Sequence, residues 1–450
     1  MSISITDIVS GRQGFSGSDV PDPDLLAACV HCGMCLPTCP TYRMTGQEAS
    51  SPRGRLWLMR AVGEGKLDLF DPEFDEQMYQ CLNCRACEAV CPSGVQYGPL
   101  VEASRAQLEQ HRKRPARERV VRKVALSMPF EDIRRIRASV KLLRLYQRSG
   151  LNRLVRRAGV LKVLRLETLE AMLPEIAEPP LVSGKESWAA STTNGHVNLF
   201  NGCVMSTVFS NVNRATGRVM AHNGIQCDVP AGQQCCGALH VHSGMMDEAR
   251  KLARENIDAF GTNDDEIIVT AAGCGAALKE YDHLLKDDPV YAERAKAFSH
   301  RVKDVTEYLG GRDLVPATHR VDTTVTYQEP CHLAHAQRIS AQPRKLMEHI
   351  PGVSICEMKE SSLCCGSAGI YNIIRKEMAD NLGDRKAGHI VATEADQVVT
   401  ANPGCHMQLR TSLRRNNSAM PVRHIMELMD ESYGGKGTAK AGSWAIERQG

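Results

Sequence analysis

The chain has 450 residues, of which 42% are hydrophobic and 24% charged, and its formal net charge is +3. This composition predicts a globular protein of about two to four domains. The N-terminus shows no basic stretch followed by an apolar run, and no later window is apolar enough for a spanning helix. The sequence therefore argues against a signal peptide and a membrane span, and predicts a cytoplasmic protein.

Cysteine usage is the strongest signal in the chain. Eighteen cysteines in a large cytoplasmic protein are poorly explained by disulfides, because that compartment keeps thiols reduced. Their spacings are therefore interpreted as ligand spacings.

A four-cysteine motif, C-x2-C-x2-C-x3-C-P, occurs twice near the N-terminus, as CVHCGMCLPTCP and CLNCRACEAVCP. Such short spacings place three thiolates around one [4Fe–4S] cluster, while the fourth cysteine reaches a second cluster. The predicted ligation is crossed. One cluster takes Cys29, Cys32, Cys35 and Cys91, and the other takes Cys81, Cys84, Cys87 and Cys39.

Structural zinc is the alternative for these motifs, because C-x2-C is also a zinc signature. The density of four cysteines, twice closed by proline, favours iron–sulfur clusters. Between the motifs, SSPRGRLWLMRAVGEGKL and DPEFDEQMYQ predict helices. In the second of these, Asp71 is the expected cap, Pro72 suits the first turn, and Phe74 and Met78 share a face.

A basic segment follows the second motif. From Leu100 to Arg165 there are nineteen Lys and Arg against five Asp and Glu, and apolar residues recur between them at helical spacing. Three interpretations remain open: contact with anionic lipid headgroups, docking to an acidic partner subunit, or a solvated helix face. Nucleic acid is disfavoured as a partner, because no recognition module is present.

The C-terminal half contains a second duplication, in which cysteines recur at offsets of 128 to 131 residues. The first copy contains Cys203, Cys235, Cys236 and Cys274, and the second contains Cys331, Cys364, Cys365 and Cys405. The single cysteines of each copy follow short β-prone runs, and helical patterns alternate with those runs. This alternation predicts a parallel sheet whose functional groups collect at the carboxyl ends of its strands.

The predicted fold is an α-helical two-cluster ferredoxin-like domain, a helical connector and two repeated α/β cysteine-rich domains. The expected boundaries are a flexible tail over 1–20, the two-cluster domain over 21–107, the basic connector over 108–178, a linker over 179–196, the first cysteine-rich domain over 197–300, a linker over 301–322, the second cysteine-rich domain over 323–430 and a tail over 431–450.

Taken together, the tandem motifs, SPRGR, QCCGALHVHSG, EPCHLAHAQ, LCCGSAGIYN and NPGC resemble the iron–sulfur subunit of bacterial glycolate oxidase. The resemblance covers about residues 20 to 430. It implies two [4Fe–4S] clusters, a separate FAD-binding subunit that oxidises glycolate, and electron transfer toward a membrane quinone. With the cytoplasmic location predicted above, a membrane acceptor makes peripheral attachment to the inner face of the cell membrane an option.

The paired Cys-Cys-Gly segments are also similar to those of the heterodisulfide reductase family. That pattern ends C-x2-C, whereas this chain has Ala277 after Cys274 and Gln408 after Cys405. Cys227 and Cys356 are candidates to replace the missing ligands, or they are small buried hydrophobes. A further iron–sulfur cluster, a redox-active thiol pair, a zinc site and inert packing therefore stay open for the two cysteine-rich domains.

Six histidines lie beside cysteine motifs and are candidates to hydrogen-bond to a cluster environment or to relay protons. They are His31, His240, His242, His332, His335 and His406, of which His332, next to Cys331, is the first choice.

No nucleotide or flavin fingerprint follows a strand, so no catalytic residue is assigned to this chain. The leading prediction is an electron-transfer subunit of a flavoprotein 2-hydroxyacid dehydrogenase, which does not oxidise substrate alone. The alternatives are a heterodisulfide reductase-like catalytic subunit and a zinc-stabilised scaffold.

Overall fold

A computed structural model describes residues 12–115, 132–159, 161, 176, 178–192 and 194–435. Residues 12–115 form a helical N-terminal region. Its helices are α1 (Pro23–Ala27), α2 (Pro40–Thr45), α3 (Pro52–Gly63), α4 (Pro72–Gln80), α5 (Ala86–Ala89) and α6 (Tyr97–His111), with a 3-10 turn at Glu48–Ser50.

The two helices predicted between the cysteine motifs are confirmed as α3 and α4. The Asp71 side chain accepts a hydrogen bond of 2.9 Å from the Glu73 main-chain N–H, and Pro72 occupies the first turn. Phe74 and Met78 are fully buried in one core. The apolar face of α4 therefore fixes the position of Cys81, which directly follows the helix.

Part of the expected tail over 1–20 is bound to the N-terminal region. The Gln107 side chain accepts from the Ser16 N–H at 2.8 Å and donates to the Ser18 carbonyl at 2.5 Å, and Asp19 forms an ion pair with Arg250. These polar contacts leave no apolar pattern, which is why the sequence does not predict them. Residues 1–11 lie outside the described part of the chain.

The connector contains α7 (Ile133–Arg148) and α8 (Leu151–Arg157). Ile133 and Val140 are buried, and Ile136 packs against the core of the domain that follows. The rest of the predicted connector falls mostly outside the described residues.

The first α/β unit has a five-stranded sheet in the order β1-β3-β2-β4-β5, which is parallel except for the antiparallel edge strand β1. Its elements are β1 (Ser187–Trp188), β2 (Gly195–Phe200), α9 (Ser210–His222), β3 (Ile225–Asp228), α10 (Ala238–His242), α11 (Met246–Phe260), β4 (Glu266–Val269), α12 (Ala272–Lys279), α13 (Tyr281–Leu284), α14 (Ala292–Arg301), β5 (Val302–Asp304) and α15 (Val305–Gly310).

The second α/β unit has a parallel sheet in the order β7-β6-β8-β9. Its elements are β6 (Thr323–Tyr327), a π-helical turn (His332–Ala336), α16 (Ala341–Glu348), β7 (Val353–Ile355), α17 (Tyr371–Ile374), α18 (Lys376–Val391), β8 (Gln397–Thr400), α19 (Pro403–Arg415), β9 (Val422–His424) and α20 (Ile425–Ser432). This strand order repeats that of β3-β2-β4-β5, so the predicted duplication is visible in the topology.

The structure differs from the expected linkers. The segment 301–322 contains β5 and α15, and the segment 179–196 contains β1 and the start of β2. The edge strands β1 and β5 have only two and three residues, which is too few to show an apolar alternation, and the expected linker overlaps β2 only in its first two residues. The first unit therefore extends beyond residue 300.

The two α/β units share one apolar core. It includes Val212 and Val219 of the first unit and Met426 and Met429 of the second, so α9 and α20 pack against each other. The carboxyl ends of equivalent strands also meet, because the Ala272 N–H donates to the Ala401 carbonyl at 3.1 Å. The units are thus joined where their cysteines collect.

Among the helices in the described ranges, none has both the length and the apolar character that crossing a bilayer would require.

Candidate metal centres

Two cavities in the N-terminal region are lined by the eight motif cysteines. The first is lined by Cys29, Cys32 and Cys35 of the first motif and by Cys87 and Cys91 of the second. The second is lined by Cys39 of the first motif and by Cys81, Cys84 and Cys87 of the second. Each cavity thus contains three cysteines of one motif together with the last cysteine of the other, and Cys87 lines both. These sets include the two combinations that the sequence predicts, and the assignment of the thiols as ligands stays a prediction.

Left-handed residues bend both cysteine loops around their cavities. In the first loop these residues are His31, with φ of 55°, and Gly33; in the second they are Asn83, with φ of 49°, and Arg85, with φ of 61°. Non-glycine residues rarely adopt this conformation, and it persists where the surroundings hold it. The left-handed residues therefore turn the backbone of each loop so that its cysteines converge on one cavity.

The cavities differ in exposure. Cys32 is exposed, and Cys29, Cys35 and Cys91 are half-buried, so the first cavity opens at the surface. By contrast, the cysteines of the second cavity are all buried. Three half-buried cysteines and one exposed cysteine of the first cavity are therefore accessible to a partner, whereas the cysteines of the second, here termed the enclosed cavity, are covered by the protein.

Arg55 lies beside the second cavity with 1% of its surface exposed. Its guanidinium donates to the Gln77 carbonyl at 2.8 Å and to the Thr41 hydroxyl at 3.0 Å, and lies 4.0 Å from the Cys39 sulfur. Burial opposes the charge of Arg55. The phenol of Tyr97 and the thiols of Cys81 and Cys39 nevertheless keep the pKa of Arg55 above its ordinary value. A fixed positive charge therefore offsets the thiolates that a cluster would require here.

Three of the motif thiols have raised pKa values and are therefore protonated at neutral pH when no group is bound. Burial raises the pKa of Cys35 to about 11 and raises the pKa values of Cys84 and Cys87 well above their ordinary range. Iron–sulfur clusters bind thiolates, so loading of either cavity must release protons. The donor set and the buried charge of Arg55 fit two four-cysteine clusters.

The enclosed cavity lies where the N-terminal region meets both α/β units. His332 Nε2 donates to the Asn83 carbonyl at 2.8 Å, and the Asn83 amide donates to Glu102 Oε1 at 2.6 Å. His242 Nδ1 donates to the same carboxylate oxygen at 3.0 Å. Burial lowers the pKa of His332 to about 4, so this donor is a neutral imidazole at neutral pH.

Arg85, two residues after Asn83, makes a second contact between the N-terminal region and an α/β unit. Arg85 forms ion pairs with Glu280 of the first α/β unit and with Glu88 of its own region. Cys84 is also close enough to Cys331 that, after burial, this neighbour contributes to raising the pKa of Cys84. The second motif is therefore held by all three parts of the protein.

The cysteines of each α/β unit converge at the carboxyl edge of its sheet. Sulfur–sulfur distances are 3.5 Å for Cys203 to Cys235 and 3.3 Å for Cys236 to Cys274 in the first unit, and 4.0 Å for Cys331 to Cys364 in the second. Cys365 and Cys405 are joined by a hydrogen bond. No three His, Cys, Asp or Glu side chains among the described residues meet as ligands of a single metal ion.

One thiol in each unit is acidified by its neighbours. Hydrogen bonds from Cys203 and Cys236 lower the pKa of Cys235 well below its ordinary value. In the second unit, hydrogen bonds from Cys364 and Cys405 do the same for the pKa of Cys365. A stabilised thiolate is suited to metal ligation or thiol redox chemistry.

Cys227 and Cys356 are not brought into these clusters. Cys227 is fully buried on β3 in the core that the two units share. The Cys356 thiol donates to the Thr393 carbonyl at 3.5 Å. Cys227 therefore acts as a small packing residue, and neither cysteine lies where it could replace the ligand missing at Ala277 or Gln408.

The remaining candidate histidines have separate surroundings. The His31 ring stacks on Trp57 with centroids 5.2 Å apart, His335 donates to the Ser362 carbonyl at 3.0 Å, and His406 packs edge-on against Phe209. His240 is buried, and neither of its ring nitrogens has a hydrogen-bond partner among the described residues.

Sequence reasoning missed several residues that surround the sites. They include Arg55, Asn83, Arg85, Glu102 and Glu280. Arg55 lies within the SPRGR segment, and Asn83 and Arg85 lie within the second cysteine motif. Their closeness in sequence to the candidate ligands could have indicated that these three residues lie near the site. Glu102 and Glu280 had no such signal, because their partners are distant in sequence.

Three family models match the chain. A 4Fe-4S dicluster domain matches residues 25–95, and a cysteine-rich domain matches twice, at residues 197–279 and 325–410. The linker region of the glycolate oxidase iron-sulfur subunit matches residues 117–173.

Curated relatives cover nearly the whole chain. The probable glycolate oxidase iron-sulfur subunit of Bacillus subtilis is 43% identical, over 92% of this chain and 96% of that protein. The glycolate oxidase iron-sulfur subunit of Escherichia coli is 34% identical, over 91% and 94%. A fumarate reductase (CoM/CoB) subunit of Methanothermobacter marburgensis is 27% identical, over 96% and 78%.

Proposed function

Because this chain belongs to the family of glycolate oxidase iron–sulfur subunits, we propose that its complex oxidises glycolate or a closely related 2-hydroxy acid. The chain itself is a non-flavin, electron-transferring iron–sulfur subunit of an oxidoreductase complex. The observation that carries the proposal is the convergence of the eight motif cysteines on two cavities.

In this proposal Cys29, Cys32, Cys35 and Cys91 hold one [4Fe–4S] cluster and Cys39, Cys81, Cys84 and Cys87 hold the other. Bound clusters supply single-electron transfer, which the side chains of the protein lack. Arg55 offsets thiolate charge beside Cys39, and the Asn83 N–H donates to the Cys81 sulfur at 3.3 Å. These residues keep the enclosed cavity suited to an anionic sulfur cage.

The partner in this proposal is a separate FAD-binding subunit. Two-electron oxidation of a hydroxy acid requires a cofactor that accepts a hydride, and flavin is such a cofactor. The open first cavity, with Cys32 exposed, is the accessible site for electron exchange with that subunit. We further propose a membrane quinone as the acceptor and attachment of the complex to the inner face of the cell membrane.

A second candidate function is thiol–disulfide chemistry at the Cys-Cys-Gly segments. Sulfur–sulfur distances of 3.3 to 4.0 Å and one acidified thiol in each α/β unit favour it. The same arrangement is also compatible with a further iron–sulfur cluster in these units. The ends at Ala277 and Gln408, where a heterodisulfide-type motif would have cysteine, argue against catalysis there.

Measurements on one set of preparations distinguish the two candidate functions. Anaerobically purified chain should contain about eight iron atoms in two cubane clusters, with more if the α/β units bind iron. It should be reducible but unable to oxidise glycolate until its FAD-binding subunit is added. Glycolate oxidation by the isolated chain would contradict the leading proposal, and thiol release from a disulfide acceptor by the reduced chain would support the second.

A further inference from the structure

Helices α7 and α8 expose leucines although α7 has already buried its other apolar side. Ile133 and Val140 are buried, and Ile136 packs against the first α/β unit. The exposed leucines and their exposed fractions are Leu142 (69%), Leu145 (65%), Leu151 (48%) and Leu154 (64%). Packing within the described residues therefore does not explain these side chains.

The same two helices are uniformly basic. From Ile133 to Gly159 the sequence contains nine Lys and Arg and no Asp or Glu. On α7, the exposed residues Arg134, Lys141, Leu142 and Leu145 follow one another at helical spacing and form a single stripe. Exposed Arg153 and Arg157 accompany the leucines of α8.

The positive charge of the chain is concentrated in the segment that contains these two helices. Residues 100–165 carry a net charge of +14, whereas the whole chain carries only +3. The remainder is therefore negative and is repelled by an anionic surface that attracts this segment. Such asymmetry would orient the protein with its connector toward a negatively charged partner.

We propose that the exposed leucines of α7 and α8, Leu142, Leu145, Leu151 and Leu154, together form a surface that docks on an anionic lipid bilayer. The leucines enter the boundary between headgroups and acyl chains, and the adjacent Arg and Lys side chains contact lipid phosphates. The inference deepens the proposed function, because it rests on the membrane acceptor named there.

A bilayer fits this surface better than an acidic protein does. The cores of protein interfaces are depleted of charge and enriched in aromatic residues. Here leucine and basic residues are interleaved, and the exposed large hydrophobic residues of the two helices include no aromatic side chain. This composition is typical of helices that lie in a membrane interface.

Docking through this surface would bring the first α/β unit close to the bilayer. The Ile133 N–H donates to the Gln234 side chain at 3.3 Å, and Gln234 immediately precedes Cys235. Ile133 and Leu145 lie on one helix, about 18 Å apart at the usual rise per residue. An acceptor dissolved in lipid would therefore approach the cysteines of this unit.

The test uses the full chain, purified anaerobically, with vesicles of phosphatidylcholine alone or mixed with phosphatidylglycerol. We expect the affinity for the mixed vesicles, measured by cosedimentation, to be at least about tenfold higher than the affinity for the neutral vesicles. This affinity should fall as the salt concentration is raised. The double variant Leu142→Gln with Leu145→Gln should lose at least about tenfold in affinity for the mixed vesicles.

The matched control is Ile373→Gln with Ile374→Gln on α17, where the two side chains are 59% and 62% exposed. It should bind like the wild type. Far-UV circular dichroism and iron content should be unchanged in both variants, because all four side chains are solvent-exposed.

Equal binding of the leucine variant and the wild type would overturn the proposal, as would failure of the wild type to bind mixed vesicles. Loss of a copurifying acidic protein from the leucine variant, without vesicle binding by the wild type, would assign the surface to a protein partner instead. Dye reduction by the complex with its FAD-binding subunit is scored separately, so failure of docking is distinguishable from failure of the proposed function.

Discussion

His332 donates a hydrogen bond of 2.8 Å to the Asn83 carbonyl, although the two residues are 249 positions apart. Asn83 lies between Cys81 and Cys84 and has a left-handed backbone. A residue of the second α/β unit thus supports the conformation of a cysteine loop in the N-terminal region. Docking of the three regions and the shape of the enclosed cavity are therefore coupled.

Replacing His332 with leucine should loosen the second motif. The Asn83 carbonyl would be left buried without a donor, which costs about 1–3 kcal/mol. We expect faster loss of iron to a chelator and a changed EPR signal for one of two clusters. His332→Gln, which can keep a donor, should restore most of the wild-type behaviour; identical signals in all three proteins would contradict the role of this bond.

Cys84→Ala should remove one cluster and leave the other. Iron content should fall from about eight to about four atoms per chain. Electron transfer to quinone should stop, while the flavoprotein partner still reduces an artificial dye. Cys356→Ala, at a cysteine outside both cavities, is the control and should keep all the iron. Quinone reduction that survived in Cys84→Ala would show that the route does not use this site.

His196 should contribute stability that depends on pH. Its ring nitrogens lie 2.9 Å from carboxylate oxygens of Asp228 and Asp265. Burial opposes its charge, but hydrogen bonds to the two carboxylates prevail and raise the pKa of His196 above its ordinary value. The stabilisation is therefore fully present below the ordinary pKa of about 6.5 and is lost as pH rises through the higher folded-state value.

His196→Gln should consequently lower the thermal midpoint at pH 6 and have little effect at pH 9. Differential scanning fluorimetry at both values measures this difference. An equal loss at the two pH values would mean that packing, and not the ionised ring, accounts for the contribution.

Gly54 should not tolerate a side chain, because a Cβ there would lie 2.0 Å from the Glu48 carbonyl oxygen. Gly54→Ala should cost about 1–3 kcal/mol of stability through overpacking, and it should displace the adjacent Arg55 and reduce iron retention. At exposed Gly388 in α18, a Cβ would meet no atom within 4 Å. Gly388→Ala is therefore expected to stabilise by about 0.5–1 kcal/mol. Comparable thermal midpoints for the two variants would refute the predicted contact.

The sequence predicts those helices and strands whose position depends on residues close to one another in the chain. Asp71 and Pro72 begin α4 as expected, and the β-prone runs before Cys203 and Cys331 are parallel strands. Each depends on a cap or an apolar run within a few residues. The family relationship was likewise readable from short motifs.

Features that depend on docking were not predictable. The bond between His332 and Asn83, and the ion pair of Arg85 with Glu280, join parts of the chain separated by 249 and 195 positions. Strand β5 falls within an expected linker, because its three residues are too few to show an apolar pattern. Polar contacts between domains have no periodicity, so the sequence alone does not reveal them.

The two α/β units have different residues at an equivalent buried position. Asn256 of α11 donates to the Cys235 carbonyl at 2.9 Å, and at the equivalent turn of α18 Lys386 donates to the Ser361 carbonyl at 3.1 Å. Lys386 is 1% exposed, and its ammonium contributes to lowering the pKa of Cys365. A neutral amide in the first unit thus occupies the place of a cation in the second. Negative charge added at the cysteines of the second unit would therefore meet a buried ammonium, for which the first unit has only an amide at that position.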